Sequence, residues 1–232
     1  MSKLEEIRKN VKTVTDKSGT LSQEKMTQAL DWCYNRTLQG LPGQKTIDEL
    51  INDYLSKYDK ETAIDKLVKY QTTKAAISGF VTGFGGVITM PVTIPANITS
   101  VILFQMRMIA AIAKIRGYEL RSDQVQTVVY KTLAGTTVTD IVKKRGIAFG
   151  NKLTISVIKK IPGKALTKIN QAVGFRLVTK FGSKGLINLG KMVPVVGAVV
   201  GGAFDTGTTL TIARAAKKNF LRRELILETG QS

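Results

Sequence analysis

Hydrophobic residues are concentrated in one stretch near the middle of the chain, residues 75–113. From Ala75 to Met106 this stretch contains 32 residues and no charge. Pro91 and Pro95 divide it, and a proline interrupts a helix because it lacks a backbone N–H and clashes with the preceding turn. The pattern therefore predicts an apolar helical hairpin that is broken at the two prolines.

The second arm of this hairpin, from about Ala96 to Arg116, is apolar on one helical face and on most of the other. A helix that is apolar all round lies either in the centre of a protein core or in lipid. The first arm, Ala75–Met90, has 16 residues, whereas a membrane-spanning helix needs roughly 20. Both interpretations therefore stay open: a core hairpin, or a hairpin that enters lipid to a shallow depth.

Two pairs of glycines with a spacing of four residues predict close contacts between helices. Gly79 and Gly83 lie in the first arm of the hairpin. Gly197 and Gly201 lie in a second uncharged run, at the start of a glycine-rich C-terminal helix predicted over residues 192–228. Small residues at this spacing allow two helix backbones to approach each other.

Arg107 interrupts the apolar surface of the second arm. An arginine in such a setting must pair with an acid, or extend to water or lipid headgroups. Asp205 is the only acidic residue between Asp140 and Glu224. One hypothesis is an internal ion pair between Arg107 and Asp205 that joins the two apolar runs, and the alternative places Arg107 on a helix rim in water.

Residues 1–74 have the mixed pattern of amphipathic helices in a soluble protein. They carry 13 basic and 11 acidic residues, so this region is almost neutral. Ser22 and Asp59 are expected N-caps, and Thr46 with Glu49 has the spacing of a capping box. The sequence thus predicts a charged helical region at 1–74 before a helical core at 75–232, and together these form one structural domain.

Residues 141–191 carry 12 lysines and arginines and no acidic residue. The cations recur mostly every four residues, opposite a stripe of apolar residues. This pattern predicts basic amphipathic helices. The apolar stripe consists of Leu166, Ile169, Val173, Leu177 and Phe181. The cations expected to bind an anionic surface are Lys160, Lys164, Lys168, Arg176, Lys180 and Lys184.

Composition narrows the chemistry that the chain can perform. Its net charge of +18 favours a polyanionic partner, either anionic lipid or nucleic acid. There is no histidine, which excludes histidine general bases, histidine-containing triads and almost all zinc sites. The one cysteine, Cys33, follows Trp32 on an apolar helical face and is expected in the core. With almost no strand signal, the chain is predicted to be all-α, and no catalytic, cofactor or metal site is predicted.

Three stretches of the chain resemble the EcsC family, bacterial proteins named after a gene that lies beside the genes of an ABC exporter. They are Ala29–Tyr54, Pro91–Leu120 and Pro194–Ala216. The most specific of them is the proline-rich turn that leads into the arginine-bearing apolar helix and ends at Gly117-Tyr118. Together the stretches cover about a third of the chain and occur in the same order as in the family.

The resemblance implies a helical, membrane-associated bacterial protein. It implies no chemistry, because the family has no established activity. Members often carry an acidic residue just after the second proline of the turn, and this chain has Asn97 there. A catalytic carboxylate at that position is therefore not supported. The family name also points to an ABC transporter, or another integral membrane complex, as a partner.

Taken together, these features predict a non-enzymatic protein that binds anionic lipid at the inner face of the bacterial cytoplasmic membrane, either at its surface or with shallow insertion. Within this interpretation, a role as an accessory to a membrane transporter and a role as a membrane-perturbing protein both stay open. The N-terminus, MSKLEEIRKN, has no apolar signal core, which agrees with a cytoplasmic location. Two alternatives stay open. One is a soluble, basic nucleic-acid-binding protein, although no helix-turn-helix or RNP motif accompanies the charge. The other is an enzyme that works without histidine.

Overall fold

The computed structural model describes residues 22–40, 44–82, 96–135, 155–181 and 197–221. They form eight helices and no strand, so the all-α prediction is confirmed. In chain order the helices are α1 (Gln23–Gln39), α2 (Ile47–Leu55), α3 (Lys60–Thr82), α4 (Ala96–Ile115), α5 (Asp123–Leu133), α6 (Ile155–Lys159), α7 (Gly163–Phe181) and α8 (Gly197–Asn219).

Helix α4 lies at the centre of the fold, where it contacts α1, α2, α3, α5 and α8. From Ile102 to Ile115 every side chain is buried except those of Arg107 and Lys114. The second arm of the predicted hairpin is therefore a core helix over these residues. This is one of the two environments expected for a helix that is apolar on all sides.

Helix α3 runs without interruption from Lys60 to Thr82 and contacts both α4 and α8. Residue 74, where the charged region was predicted to end, therefore lies inside a helix. Gly79 lies in α3, and Gly197 and Gly201 lie in α8, so these glycines belong to two helices that contact each other.

The packing roles assigned to the glycines and prolines of the hairpin stay predictions. Gly79, Gly197 and Gly201 lie in helical stretches whose side-chain surroundings are not described. Gly83, Pro91 and Pro95 lie outside the described residues.

The helix starts that the sequence predicts in the first third of the chain are confirmed. The hydroxyl of Ser22 accepts a hydrogen bond from the backbone N–H of Lys25 at 3.2 Å. Thr46 and Glu49 form the complete capping box, in which each side chain accepts from the other residue's backbone N–H, at 3.2 and 2.7 Å. Asp59 accepts hydrogen bonds from the backbone N–H groups of Glu61 and Thr62, both at 3.1 Å. Hydrogen bonding from the Thr62 side chain, together with these N–H groups, lowers the pKa of the Asp59 carboxyl. These caps satisfy N–H groups that a helix start otherwise leaves unpaired.

Arg116, just after α4, joins the ends of three helices. Its guanidinium forms a two-pronged ion pair with Glu61 on α3, at 3.1 and 2.8 Å. It also donates to the carbonyls of Lys217, at 2.6 Å, and Phe220 at the end of α8. The Arg116 side chain is only 7% exposed, so its charge is compensated by these partners rather than by water. A cation here also opposes the negative end of the α8 dipole.

Gly117 and Tyr118 end α4, as the sequence predicts. The N–H of Tyr118 bonds to the carbonyl of Ala113 and that of Gly117 to the carbonyl of Lys114, which is the Schellman arrangement. Gly117 has a φ of +85°, a conformation that glycine adopts at little cost. The Tyr118 ring then packs edge-on against Phe220 beyond α8, with ring centres 5.0 Å apart.

A polar junction joins α1 to α5. The Tyr130 hydroxyl donates to Asp31 at 2.7 Å, and the Gln126 amide donates to the same carboxylate oxygen at 3.1 Å. Tyr34 donates to the carbonyl of Leu120 at 2.6 Å and meets the Tyr130 ring edge-on. Burial raises the pKa of both tyrosines, and the negative charge of Asp31 adds to this effect at Tyr130. Both hydroxyls are thus held as neutral hydrogen-bond donors.

Helix α7 packs across α1 and α5 with a close approach at Gly174. A Cβ atom at Gly174 would lie 3.2 Å from both the Gln23 Cγ and the Thr27 Oγ1 of α1. The Gln23 amide donates to the carbonyl of Gln171 at 3.0 Å, which bonds α1 directly to the backbone of α7. The absence of a side chain at Gly174 therefore sets the distance between these two helices.

We expect Arg116→Ala to lower the free energy of unfolding by about 3 kcal/mol, because it leaves the Glu61 carboxylate and two helix-end carbonyls without their cation. Urea denaturation followed by circular dichroism measures this loss. The matched control is Lys114→Ala, which removes an exposed ion pair with Asp48 and should cost less than about 1 kcal/mol. Equal effects of the two substitutions would contradict the role given to Arg116.

We expect Gly174→Val to lower the free energy of unfolding by roughly 1–3 kcal/mol, because the new side chain forces α7 away from α1. The control is Gly207→Val in α8, where nothing lies within 4 Å of the added Cβ atom. That variant should stay within about 0.5 kcal/mol of the parent protein. Urea denaturation followed by circular dichroism measures the stability of both variants. If the Gly174 variant is as stable as the Gly207 variant, α7 does not approach α1 closely at Gly174.

Candidate functional site

Exposed cations cover the outer side of α7 and the turn before it. Lys160 is exposed in the turn between α6 and α7, and Lys164, Lys168 and Arg176 are exposed on α7. We call these four residues the basic face. Of the two other predicted cations, Lys180 has a side chain that is not described and Lys184 lies outside the described residues.

The inner side of α7 is apolar and packs against α1 and α5. The amphipathic helix predicted from the sequence is therefore present over Gly163–Phe181. Four of the five residues of the predicted apolar stripe are buried, and the side chain of the fifth, Phe181, is not described. The buried residues are Leu166, Ile169, Val173 and Leu177.

Among the described residues, no acidic side chain forms an ion pair with the basic face. Residues 155–181 contain six basic residues and no acidic one. The ion pairs among the described residues lie elsewhere, on α2, α3, α4 and α8. They are Lys45–Asp53, Lys114–Asp48, Arg116–Glu61 and Lys217–Asp65. The positive potential of α7 therefore extends into solvent over about one Debye length, 8–10 Å at physiological salt.

Phe175 lies among these cations with 66% of its surface exposed, more than any other large hydrophobic side chain among the described residues. The apolar stripe and the cations predicted from the sequence do not include it. Its signal was present, because Phe175 follows Lys164 by eleven residues and Lys168 by seven, spacings that return to the same side of a helix. The outer side of α7 is thus both basic and apolar.

Arg107 lies on the side of α4 that meets α2. Its guanidinium donates to the carbonyl of Lys45, just before α2. Partial burial lowers the pKa of Arg107, and the negative charge of Glu49 opposes that effect. Asp205 lies in α8, but its side chain is not described, so the Arg107–Asp205 ion pair stays a prediction.

The described residues show no arrangement typical of a metal centre, because no three cysteine or carboxylate side chains among them lie close enough to hold an ion. Cys33 is fully buried in the core, as predicted. Burial raises the pKa of its thiol, which disfavours the nucleophilic thiolate.

None of the helices in the described ranges combines the length and the hydropathy required to cross a bilayer. This finding covers α4 and the described residues of α3 and α8, which carry most of the apolar sequence.

Comparison with known proteins places the chain in one family. The model of the EcsC protein family matches residues 2–225, nearly the whole length. The matched range includes all three stretches whose residues resemble the family, and the fold described above contains most of their length. Neither a curated protein nor a solved structure matches the chain. The chain therefore belongs to the EcsC protein family.

Proposed function

We propose that the protein is a non-enzymatic, peripheral membrane protein that binds anionic lipid surfaces through the basic face. The observation that carries this proposal is the exposure of Lys160, Lys164, Lys168 and Arg176 on a helical unit without a single acidic residue. Each lysine or arginine near an anionic leaflet contributes about 1 kcal/mol. Four of them supply about 4 kcal/mol, which corresponds to an affinity gain of about a thousandfold.

The burial of α4 supports a peripheral mode of binding. Its apolar residues from Ile102 to Ile115 are buried, so over these described residues the arm presents no apolar face to lipid. Helix α7, in contrast, exposes Lys164, Lys168, Phe175 and Arg176 on its outer side. The membrane contact in this proposal is therefore made by α7, with its axis parallel to the surface.

The proposed location is the inner face of the bacterial cytoplasmic membrane, where anionic headgroups attract basic surfaces. An integral membrane complex such as an ABC transporter is proposed as a partner from the family name alone. The absence of histidine and the burial of the only thiol support a role without catalysis.

We expect the protein to co-sediment with vesicles of phosphatidylcholine mixed with phosphatidylglycerol, and not with vesicles of phosphatidylcholine alone. Binding should weaken as salt is raised, because the attraction is screened. The double variant Lys164→Gln/Lys168→Gln should lose about 2 kcal/mol of binding free energy, or about thirtyfold in affinity.

The matched control is Lys57→Gln/Lys69→Gln, which removes the same charge from exposed positions around α3 and should bind almost as the parent does. Equal losses in the two double variants would refute the assignment to α7. If the parent protein does not bind anionic vesicles but retards duplex DNA or RNA in a gel mobility-shift assay at physiological salt, the nucleic-acid interpretation replaces the lipid one.

A further inference from the structure

The exposure of Phe175 is not explained by electrostatic binding alone. The other exposed large hydrophobic residues, Leu55, Tyr58 and Tyr70, lie on or between α2 and α3, with exposed fractions of 37%, 38% and 53%. Phe175 is more exposed than any of these and lies on α7 among cations. A single exposed apolar residue is common on protein surfaces. Whether Phe175 contributes to binding therefore depends on its position relative to the cations.

That position follows from helix geometry. At 100° per residue, Phe175 points in a direction between those of Lys164 and Lys168, about 20° from each. Along the helix axis it lies about 16 Å from Lys164 and about 10 Å from Lys168. A flat surface that touches both lysines therefore also touches Phe175.

The packing of α7 holds Phe175 outward. Val173 and Leu177, two residues before and after it, are buried in the core. Gly174, the preceding residue, lies against α1, and the Gln171 carbonyl is bonded to Gln23 of the same helix. Rotation of α7 that would bury Phe175 would break these contacts, so the ring is pre-positioned to meet a partner.

We propose that Phe175 is a hydrophobic anchor that inserts below the lipid headgroups while Lys164 and Lys168 contact the lipid phosphates. This proposal rests on the proposed function and adds a second component to the binding. Long lysine side chains keep their charge at the headgroup level while the neighbouring apolar ring enters the acyl region. The lysines supply the salt-sensitive attraction, and Phe175 supplies an attraction that salt does not screen.

The test uses tryptophan as a depth probe. Trp32, the only tryptophan, is replaced by phenylalanine, and the ring under test becomes tryptophan in the variant Trp32→Phe/Phe175→Trp. With phosphatidylglycerol-containing vesicles that include brominated phosphatidylcholine, we expect a blue-shifted emission and strong quenching. The control Trp32→Phe/Tyr70→Trp places the probe at an exposed aromatic position on α3 and should show neither effect.

A second variant measures the affinity that the ring contributes. Phe175→Ala should bind the same vesicles about tenfold more weakly, and the residual binding should be lost at lower salt than that of the parent. Phe175→Leu should retain most of the affinity, because it keeps the apolar surface. The side chain is exposed, so these substitutions leave the core unchanged.

The outcomes separate this proposal from the proposed function. If the Phe175→Trp protein binds anionic vesicles without quenching, or if Phe175→Ala binds as tightly as the parent, the anchor is refuted and the electrostatic surface stands. If no form of the protein binds anionic vesicles, both proposals fail together. Quenching at position 70 and not at position 175 would assign the membrane contact to α3 and refute the anchor.

Discussion

The arrangement of the helices depends on the ion pair and hydrogen bonds that the buried guanidinium of Arg116 forms. A charge that is removed from water must be compensated by protein groups, and here the compensation comes from Glu61 and from the last carbonyls of α8. These partners are 55 and more than 100 residues away in the chain. One side chain therefore fixes where α3 begins, where α4 ends and where α8 ends relative to each other.

The same fold separates the charges of the protein. Four of the five acids of α2 and α3 pair with cations on or near α2, α4 and α8, which are their neighbours in space. Helix α7 packs on the other elements, α1 and α5, through Gly174 and an apolar side. Lys164 and Lys168 consequently face solvent in a segment without acids. The net charge of +18 is thus distributed unevenly, and the outer side of α7 carries a part of it that is not paired with acidic residues.

Local patterns in the sequence predicted much of the fold. The caps at Ser22, Thr46 and Asp59, the amphipathic pattern of α7 and the four buried residues of its stripe all follow from local spacings. Contacts between distant segments were not accessible in this way. Arg107 was singled out because it interrupts an apolar run, and its ion pair with Asp205 stays a prediction. The buried ion pair of Arg116, nine residues further on and therefore on the opposite side of the helix, was not predicted. The full burial of Lys131 in α5 and the exposure of Phe175 also depend on which helices become neighbours.

The burial of Cys33 has a practical consequence for the study of this protein. As the only thiol in the chain, it lies fully inside the core on α1, and burial holds it in the unreactive protonated form. A cysteine introduced on the outer side of α7 would then react alone with a maleimide or spin label, without removal of the native residue. The native thiol becomes accessible only when α1 leaves the core. The rate at which Cys33 is labelled therefore reports how often the folded protein opens at α1.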